Sequence, residues 1–134
     1  MAKKINYIFA VGKRKESTAR VRLFKGKGEN QVNGSPAEKY FPGLLCETVW
    51  KKPLRLTETV EKYFFTAKVM GGGKNGQLAA LSHGLARALA KASPEKFKPI
   101  MKKMGLLTRD ARVRQRRMVG MGGKARRKKQ SPKR

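Results

Sequence analysis

A chain of 134 residues is long enough for one compact domain with a modest core, and 34 Lys and Arg against 8 Asp and Glu give a net charge of +26. A polyanion neutralises such a charge most readily, so nucleic acid is the leading partner, while the short apolar runs argue against a membrane protein. The single Cys46 excludes an internal disulfide. We therefore expect a reducing, cytoplasmic location.

The first 108 residues predict a globular α+β domain. Near the start, "NYIFAVG" is apolar on both faces and predicts an interior strand. The next segment, "ARVRLFKG", alternates Ala19, Val21 and Leu23 with Arg20 and Arg22. It predicts a strand with an apolar face and a basic face.

Two strands and two helices are predicted between the second strand and the glycine loop. "NQVNGSPAEKYF" predicts a short strand, a turn at Asn33 and Gly34, and a helix that begins near Pro36. "LLCETVWKK" predicts a short helix that Pro53 ends. "EKYFFTAKVM" alternates as a strand and leads directly into "GGGKNGQ".

Two helices are predicted after the glycine loop. The first runs from about Gly76 to Ala92 and buries a leucine stripe, because leucines recur every three or four residues. His83 lies on another face, where a core-edge or solvated position is favoured over an RNA contact. The second helix begins with Ser93 as N-cap, and Gly105 ends it.

The glycine loop has the GxGxxG spacing of a dinucleotide-binding turn in Gly71, Gly73 and Gly76. That site also needs a second parallel strand that ends in an acid, and no such strand pattern follows. A Walker loop needs Lys-Ser or Lys-Thr after the last glycine, where this chain has Gln77. We therefore expect no cofactor. Backbone amides at a helix N-terminus, with Lys74, instead predict a site for a nucleic-acid phosphate, and a purely structural turn is the alternative.

A second basic cluster lies where the first predicted strand ends. Lys13, Arg14 and Lys15 are consecutive, and Arg20 and Arg22 continue the charge along the next strand. Such a face suits backbone phosphates. The alternative is a solvated sheet edge that charge protects from pairing with another strand.

Residues 109–134 carry 12 basic residues and one acidic residue, with few large apolar ones. This composition predicts a disordered basic tail that orders on RNA, against the alternative of a localisation or solubilising tail. The basic residues expected to contact RNA here are Arg109, Arg112, Arg114, Arg116, Arg117, Lys124, Arg126, Arg127, Lys128 and Lys129.

Catalytic chemistry finds little support in the composition. One His, one Cys and eight scattered carboxylates form no acid/base pair and no metal-ligand cluster at a recognisable spacing. We expect no enzymatic activity, no metal site and no small-molecule substrate.

Three stretches, "GKRKESTARVRL", "VMGGGKNGQLAALSHGLARAL" and "LLTRDARVRQRRMVGMGGKARRKKQSPKR", resemble in the same order the bacterial-type small-subunit ribosomal protein nine family. The resemblance implies a four-stranded sheet with helices on one face and a left-handed βαβ crossover. It also implies binding to small-subunit rRNA in the head, beside neighbouring head proteins, with a tail tip that approaches the peptidyl-site tRNA. A bacterial and an organellar ribosome both remain open.

The resemblance assigns roles to the residues that match the family's motifs. In this sequence, Ser131 and Pro132 replace an aromatic residue and a serine that usually precede the final Lys-Arg. The matching tRNA-contacting residues are Lys133 and Arg134. The other matching RNA-binding residues are Lys13, Arg14, Lys15, Ser17, Arg20, Gly71, Gly72, Gly73, Gly76, Gln77, Arg109, Arg112, Lys124, Arg126 and Arg127. Asp110 also matches the family's motif.

A free-standing nucleic-acid chaperone or DNA-compacting protein is the alternative of a different class. Such a protein would need the basic tail but not the ordered motifs around the glycine loop. Co-migration with the small subunit through a high-salt wash separates the two hypotheses.

Overall fold

A computed structural model of the chain describes residues 6–116, 118 and 119. These residues form a mixed five-stranded sheet in the order β1-β2-β5-β3-β4, in which only β3 and β5 are parallel. The elements are β1 (Ile8–Arg14), β2 (Ser17–Lys25), β3 (Gln31–Val32), β4 (Ser35–Pro36), α1 (Ala37–Tyr40), α2 (Leu44–Leu56), β5 (Tyr63–Met70), α3 (Lys74–Ala92) and α4 (Pro94–Lys103).

The α+β class with a mixed sheet is confirmed, and the strand count is five rather than the expected four. The additional strand, β4, follows the turn at Asn33 and Gly34, which have φ of 51° and 82°. Positive φ at both central residues is typical of the tight hairpin turn that Asn-Gly favours. The turn therefore pairs two strands of two residues each, β3 and β4.

The helices cover one face of the sheet, and the core lies between the two layers. Alternating residues of β2 and β5 point into this core, among them Val21 and Phe65. The predicted leucine stripe of α3 is confirmed, because Leu78, Leu81, Leu85 and Leu89 are all buried. Trp50 of α2 fills the space beside α3 and meets the ring of Phe65 edge-on.

The prediction that β1 is an interior strand is wrong, since β1 lies at the edge of the sheet and pairs with β2 alone among the described strands. Two long basic side chains of α3 cover that edge. Arg87 Nη1 donates to the Val11 carbonyl at 2.6 Å, and Lys91 Nζ donates to the Phe9 carbonyl at 2.9 Å. These bonds satisfy carbonyls that would otherwise attract another strand.

The prediction that Pro53 ends the second helix is also wrong, because α2 continues to Leu56. A proline inside a helix removes one backbone hydrogen bond. Here Pro53 and Leu54 are both buried in the core. Their burial offsets the missing bond, so tertiary packing overrides the local signal.

The predicted start and end of the last helix, α4, are both confirmed. Ser93 occupies the N-cap position of α4, although its side chain makes no capping hydrogen bond. The helix ends at Lys103, and Gly105 follows with φ of 74°. That left-handed conformation favours glycine and suits a helix terminus.

The edge strand and α3 touch backbone to backbone at a pair of glycines, Gly12 and Gly84. A Cβ atom at Gly12 would lie 2.0 Å from the Ala80 carbonyl oxygen and 2.3 Å from the Gly84 nitrogen. No side chain fits there. The absence of both side chains sets how closely α3 lies on the sheet.

Candidate nucleic-acid interface

The turn between β1 and β2 packs directly against the glycine loop. Ser17 is buried, and its hydroxyl donates to the Gly71 carbonyl at 3.0 Å. A Cβ at Gly71 would lie 2.6 Å from the Glu16 carbonyl oxygen, and one at Gly72 would lie 2.3 Å from the Ser17 hydroxyl. Both glycines also have positive φ. Ser17, Gly71 and Gly72 therefore fix the shape of the loop.

The N-terminus of α3 is open to solvent at the glycine loop. Gly73 is the N-cap residue, it makes no side-chain capping bond, and a Cβ there would meet no atom within 4 Å. The first-turn amides of a helix lack partners inside the helix and carry a partial positive charge. This terminus can therefore accept an anion such as a phosphate oxygen.

Lys74 and Gln77 hold the loop against the end of α1. Lys74 Nζ donates to the Tyr40 carbonyl at 2.9 Å and lies 3.9 Å from the centre of the Tyr40 ring. Gln77 donates to the Gly71 carbonyl at 3.1 Å and accepts a bond from the Tyr40 hydroxyl at 2.8 Å. Both side chains position the loop in this structure.

The start of the tail, at Asp110 and Arg112, contacts Arg14 at the end of β1. Arg14 Nη1 donates to the Arg112 carbonyl at 2.7 Å and lies 3.3 Å from the Asp110 carboxylate. The side chain of Arg112 bonds the same carboxylate, so Arg112 first and Arg14 to a smaller extent hold the pKa of Asp110 well below its usual range. Residues 109–112 thus begin the tail in contact with the folded domain.

His83 of α3 contacts the chain shortly before that segment, at Leu106. Its Nδ1 lies 3.1 Å from the Leu106 carbonyl oxygen, at the edge of the core. Burial lowers the pKa of His83, the Leu106 carbonyl opposes that shift, and the nearby charges of Arg87 and Arg109 add to it. The ring therefore favours its neutral form at this position.

Three predicted segments that are far apart in sequence meet at one depression of about 440 Å³, which we call the loop pocket. Each segment contributes a part of its lining: the β1–β2 turn, the glycine loop with the first turn of α3, and the start of the tail. The lining residues are Lys15, Glu16, Ser17, Gly72, Gly73, Lys74, Asn75, Gly76, Val113 and Arg114.

Other residues that the sequence predicts to bind RNA do not line the loop pocket. Lys13 and Arg14 border a smaller depression beside His83 and Leu106. Arg109 and Arg116 are exposed and do not line the loop pocket. Eight predicted residues lie outside the described part of the chain: Arg117, Lys124, Arg126, Arg127, Lys128, Lys129, Lys133 and Arg134.

Arg20 and Arg22 lie on the face of the sheet that carries no helices, which we call the open sheet face. Arg20 stands directly opposite Lys68 of β5. Arg22 stands between Phe9 of β1 and Thr66 of β5. Sequence reasoning missed Phe9 and Lys68, because only the strand register shows which residues share a face. A broad depression of about 870 Å³ runs across this face.

Within residues 6–116, 118 and 119, we find no helix long and apolar enough to cross a membrane. The same residues contain no group of three or more His, Cys, Asp or Glu side chains that could hold a metal ion. Cys46 is a free, half-buried thiol that packs against the core.

Together these features define a small, strongly basic α+β protein with helices on one face of its sheet, a charged open face, and a glycine loop that meets the start of a basic tail. The chain belongs to the ribosomal protein S9/S16 family, whose model matches residues 12–134. It is 45% identical over 123 residues to small ribosomal subunit protein uS9 of Maridesulfovibrio salexigens, and the match covers 92% of each chain. The resemblance drawn from the three motifs is thus confirmed.

Proposed function

We propose that the chain is a structural, non-catalytic constituent of the small ribosomal subunit that binds rRNA in the subunit head, beside neighbouring head proteins, in the cytoplasm or an organelle. The observation that supports this most is the convergence of three predicted RNA-binding segments at the loop pocket. Its location at an uncapped helix N-terminus supplies amide donors for phosphate. The family membership agrees with this reading.

In the proposed interface, the loop pocket holds an rRNA phosphate. Amides of the first turn of α3 donate to the phosphate, and Lys15 and Arg114, which both line the pocket, neutralise its charge. Ser17, Gly71 and Gly72 keep the loop in the shape that exposes those amides. Arg14 fixes residues 110 and 112, and the residues that follow, Val113 and Arg114, line the pocket.

We test this interface with the double variant Lys15→Ala, Arg114→Ala. We expect a fall in affinity for small-subunit rRNA of about tenfold to a hundredfold at physiological salt, because two charge-assisted phosphate contacts are lost. The salt dependence of binding should become shallower by about 1.4 to 1.8 in log-log slope. Filter binding at several salt concentrations measures both quantities.

The matched control is Lys96→Ala, Lys98→Ala, which removes the same charge from the exposed surface of α4. It should lower affinity much less. Equal losses in the two double variants would mean that only net charge matters, which would contradict a defined site at the loop pocket. That result would favour the chaperone or DNA-compacting alternative, particularly if the chain leaves the small subunit in a high-salt wash.

We further propose that Lys133 and Arg134 contact the peptidyl-site tRNA, as the family resemblance implies. A segment of 26 residues can extend at most about 85 to 95 Å, so its tip can act far from the folded domain. Deleting Lys133 and Arg134 should leave subunit assembly nearly intact and weaken tRNA binding at the peptidyl site. An Arg134→Lys variant should show a smaller loss, because lysine lacks the bidentate fork of arginine.

The measurement compares peptidyl-site tRNA binding by small subunits that carry the full chain, the deletion or Arg134→Lys. A Lys128→Ala, Lys129→Ala variant removes the same charge from the tail without changing its length and serves as the control. If the full chain and the Lys133–Arg134 deletion bind tRNA equally at several salt concentrations, the proposed contact is wrong. Failed assembly would place the main anchor in the tip instead.

A further inference from the structure

The open sheet face carries positive charge that forms no ion pair with a carboxylate in the described part of the chain. Arg20 of β2 and Lys68 of β5 stand directly opposite each other in the antiparallel pair. Like charges in that arrangement are unfavourable. None of the strands β1, β2, β3 and β5 contains an Asp or Glu. The repulsion on this face is therefore relieved best by an anion from outside the strands.

Planar side chains lie beside these charges and are open to solvent. Tyr7 is 46% exposed and Phe9 is 43% exposed. Arg22 stands directly opposite Phe9, and its guanidinium group lies 5.2 Å from the centre of the Tyr7 ring. Three planar groups, two aromatic rings and one guanidinium, thus form a continuous patch.

The remaining aromatic residues on this face already have partners. Phe24 and Phe64 stack on each other with ring centres 5.1 Å apart and planes 14° apart. Gly28 lies so close to Phe64 that a Cβ there would be 2.7 Å from the ring. Tyr7 also lies against Phe24, with ring centres 5.8 Å apart and planes 52° apart, yet it stays 46% exposed. The patch of Tyr7, Phe9 and Arg22 therefore keeps ring surface open to a ligand.

We propose that the open sheet face binds a short run of unpaired RNA nucleotides, with bases stacked on Tyr7, Phe9 and Arg22 and phosphates beside Arg20 and Lys68. Unpaired nucleotides present both base faces and phosphates, whereas a duplex hides its base faces. The broad depression across this face is lined by an aromatic residue, Phe9, and by basic residues that include Arg20 and Lys68. The proposal rests on the proposed rRNA binding and adds a second, stacking site to it.

The first test measures binding of the full chain to a single-stranded RNA of about ten uridines with a central 2-aminopurine, at about 0.5 M salt, where tail electrostatics are weakened. The test variant Tyr7→Leu, Phe9→Leu keeps the apolar character and the charge but removes both rings. We expect about a tenfold loss of affinity and loss of the fluorescence quenching that stacking causes. Binding to a blunt duplex of equal length should change less than about twofold.

Met70→Leu is the matched control, because Met70 is exposed on the same face and has no ring. It should bind both RNAs as the unaltered chain does. Lys68→Gln should weaken single-strand binding and lower the log-log salt slope by about 0.7. If Tyr7→Leu, Phe9→Leu keeps unaltered single-strand affinity and quenching, the stacking site is overturned.

A second measurement uses the chain in assembled small subunits, with a photoreactive benzoylphenylalanine in place of Phe9. The control carries it in place of Met104, which is also exposed but lies at the end of α4. A crosslink from position 9 to an unpaired nucleotide supports the proposal, even if the double leucine variant fails to fold. A crosslink only to protein, as an acidic segment of a neighbour would give, overturns it. If the unaltered chain does not join the small subunit at all, the proposed function fails. If it joins while stacking is absent, only the present inference fails.

Discussion

A Gly12→Ala variant should lose about 3 kcal/mol or more of unfolding free energy, a large part of the 5 to 15 kcal/mol that stabilises a typical domain. The added Cβ would lie 2.0 Å from the Ala80 carbonyl oxygen and 2.3 Å from the Gly84 nitrogen, and both atoms belong to the backbone of α3. Backbone cannot move aside as a flexible side chain can. The helix would have to shift away from the edge strand and open the core above it.

Urea denaturation followed by circular dichroism measures the effect, with Gly73→Ala as the matched control. A Cβ at Gly73 meets no atom within 4 Å, and φ there is −98°. The control should change the unfolding free energy by about 1 kcal/mol or less. An unaltered transition midpoint in Gly12→Ala would show that β1 and α3 do not make this contact.

Gly84→Ala should be less severe than Gly12→Ala. A Cβ at Gly84 would lie 2.8 Å from a methyl group of Val21 and 3.1 Å from the Gly12 nitrogen. The Val21 methyl can move by a few tenths of an ångström at modest cost. The unfolding free energy should therefore be highest for the unaltered chain, lower for Gly84→Ala and lowest for Gly12→Ala.

Removal of residues 108–134 should have the largest effect on RNA binding. The deletion removes 12 basic residues and one acidic residue but none of the core residues. If about half of those basic residues contact phosphates, the log-log salt slope should fall by about 4 to 5, with a loss in affinity of about a thousandfold or more at physiological salt. Filter binding to small-subunit rRNA across a salt series measures both.

The shortened chain should remain folded, because every strand and helix among the described residues ends before residue 108. Its circular dichroism and its urea transition should stay close to those of the full chain. A tail of identical composition in scrambled order is the control. If the scrambled chain assembles and binds as the natural one does, the tail acts by charge alone, which would contradict the residue-specific contacts assigned to it. An unaltered salt slope after the deletion would exclude the tail from the interface.

Local patterns in the sequence were sufficient for several elements. The alternation in β2 and β5 correctly separated buried from exposed residues, and the leucine spacing identified the buried stripe of α3. The Asn33–Gly34 turn was also predicted correctly. These features depend on residues close together in the chain, so the period of the pattern reveals them directly. The net charge and the three motifs likewise indicated a ribosomal family from sequence alone.

Only the tertiary structure decided which distant segments meet. The apolar pattern of β1 predicts an interior strand, yet β1 lies at the sheet edge. Long side chains of α3, more than 70 residues away in sequence, cover that edge. The helix α2 passes through Pro53 because that residue is buried. Ser17 meets Gly71 across 54 positions, and Arg14 meets Arg112 across 98.

The two candidate sites, the loop pocket and the open sheet face, were also predictable only in part from the sequence. The glycine loop by itself predicts that backbone amides can approach an anion, but it does not predict that the buried Ser17 packs against Gly71 and Gly72. The alternation of β5 marked Lys68 as exposed, but not that it faces Arg20. Residue type and spacing determine which groups are available for binding, whereas strand register and long-range packing determine which of them share a surface.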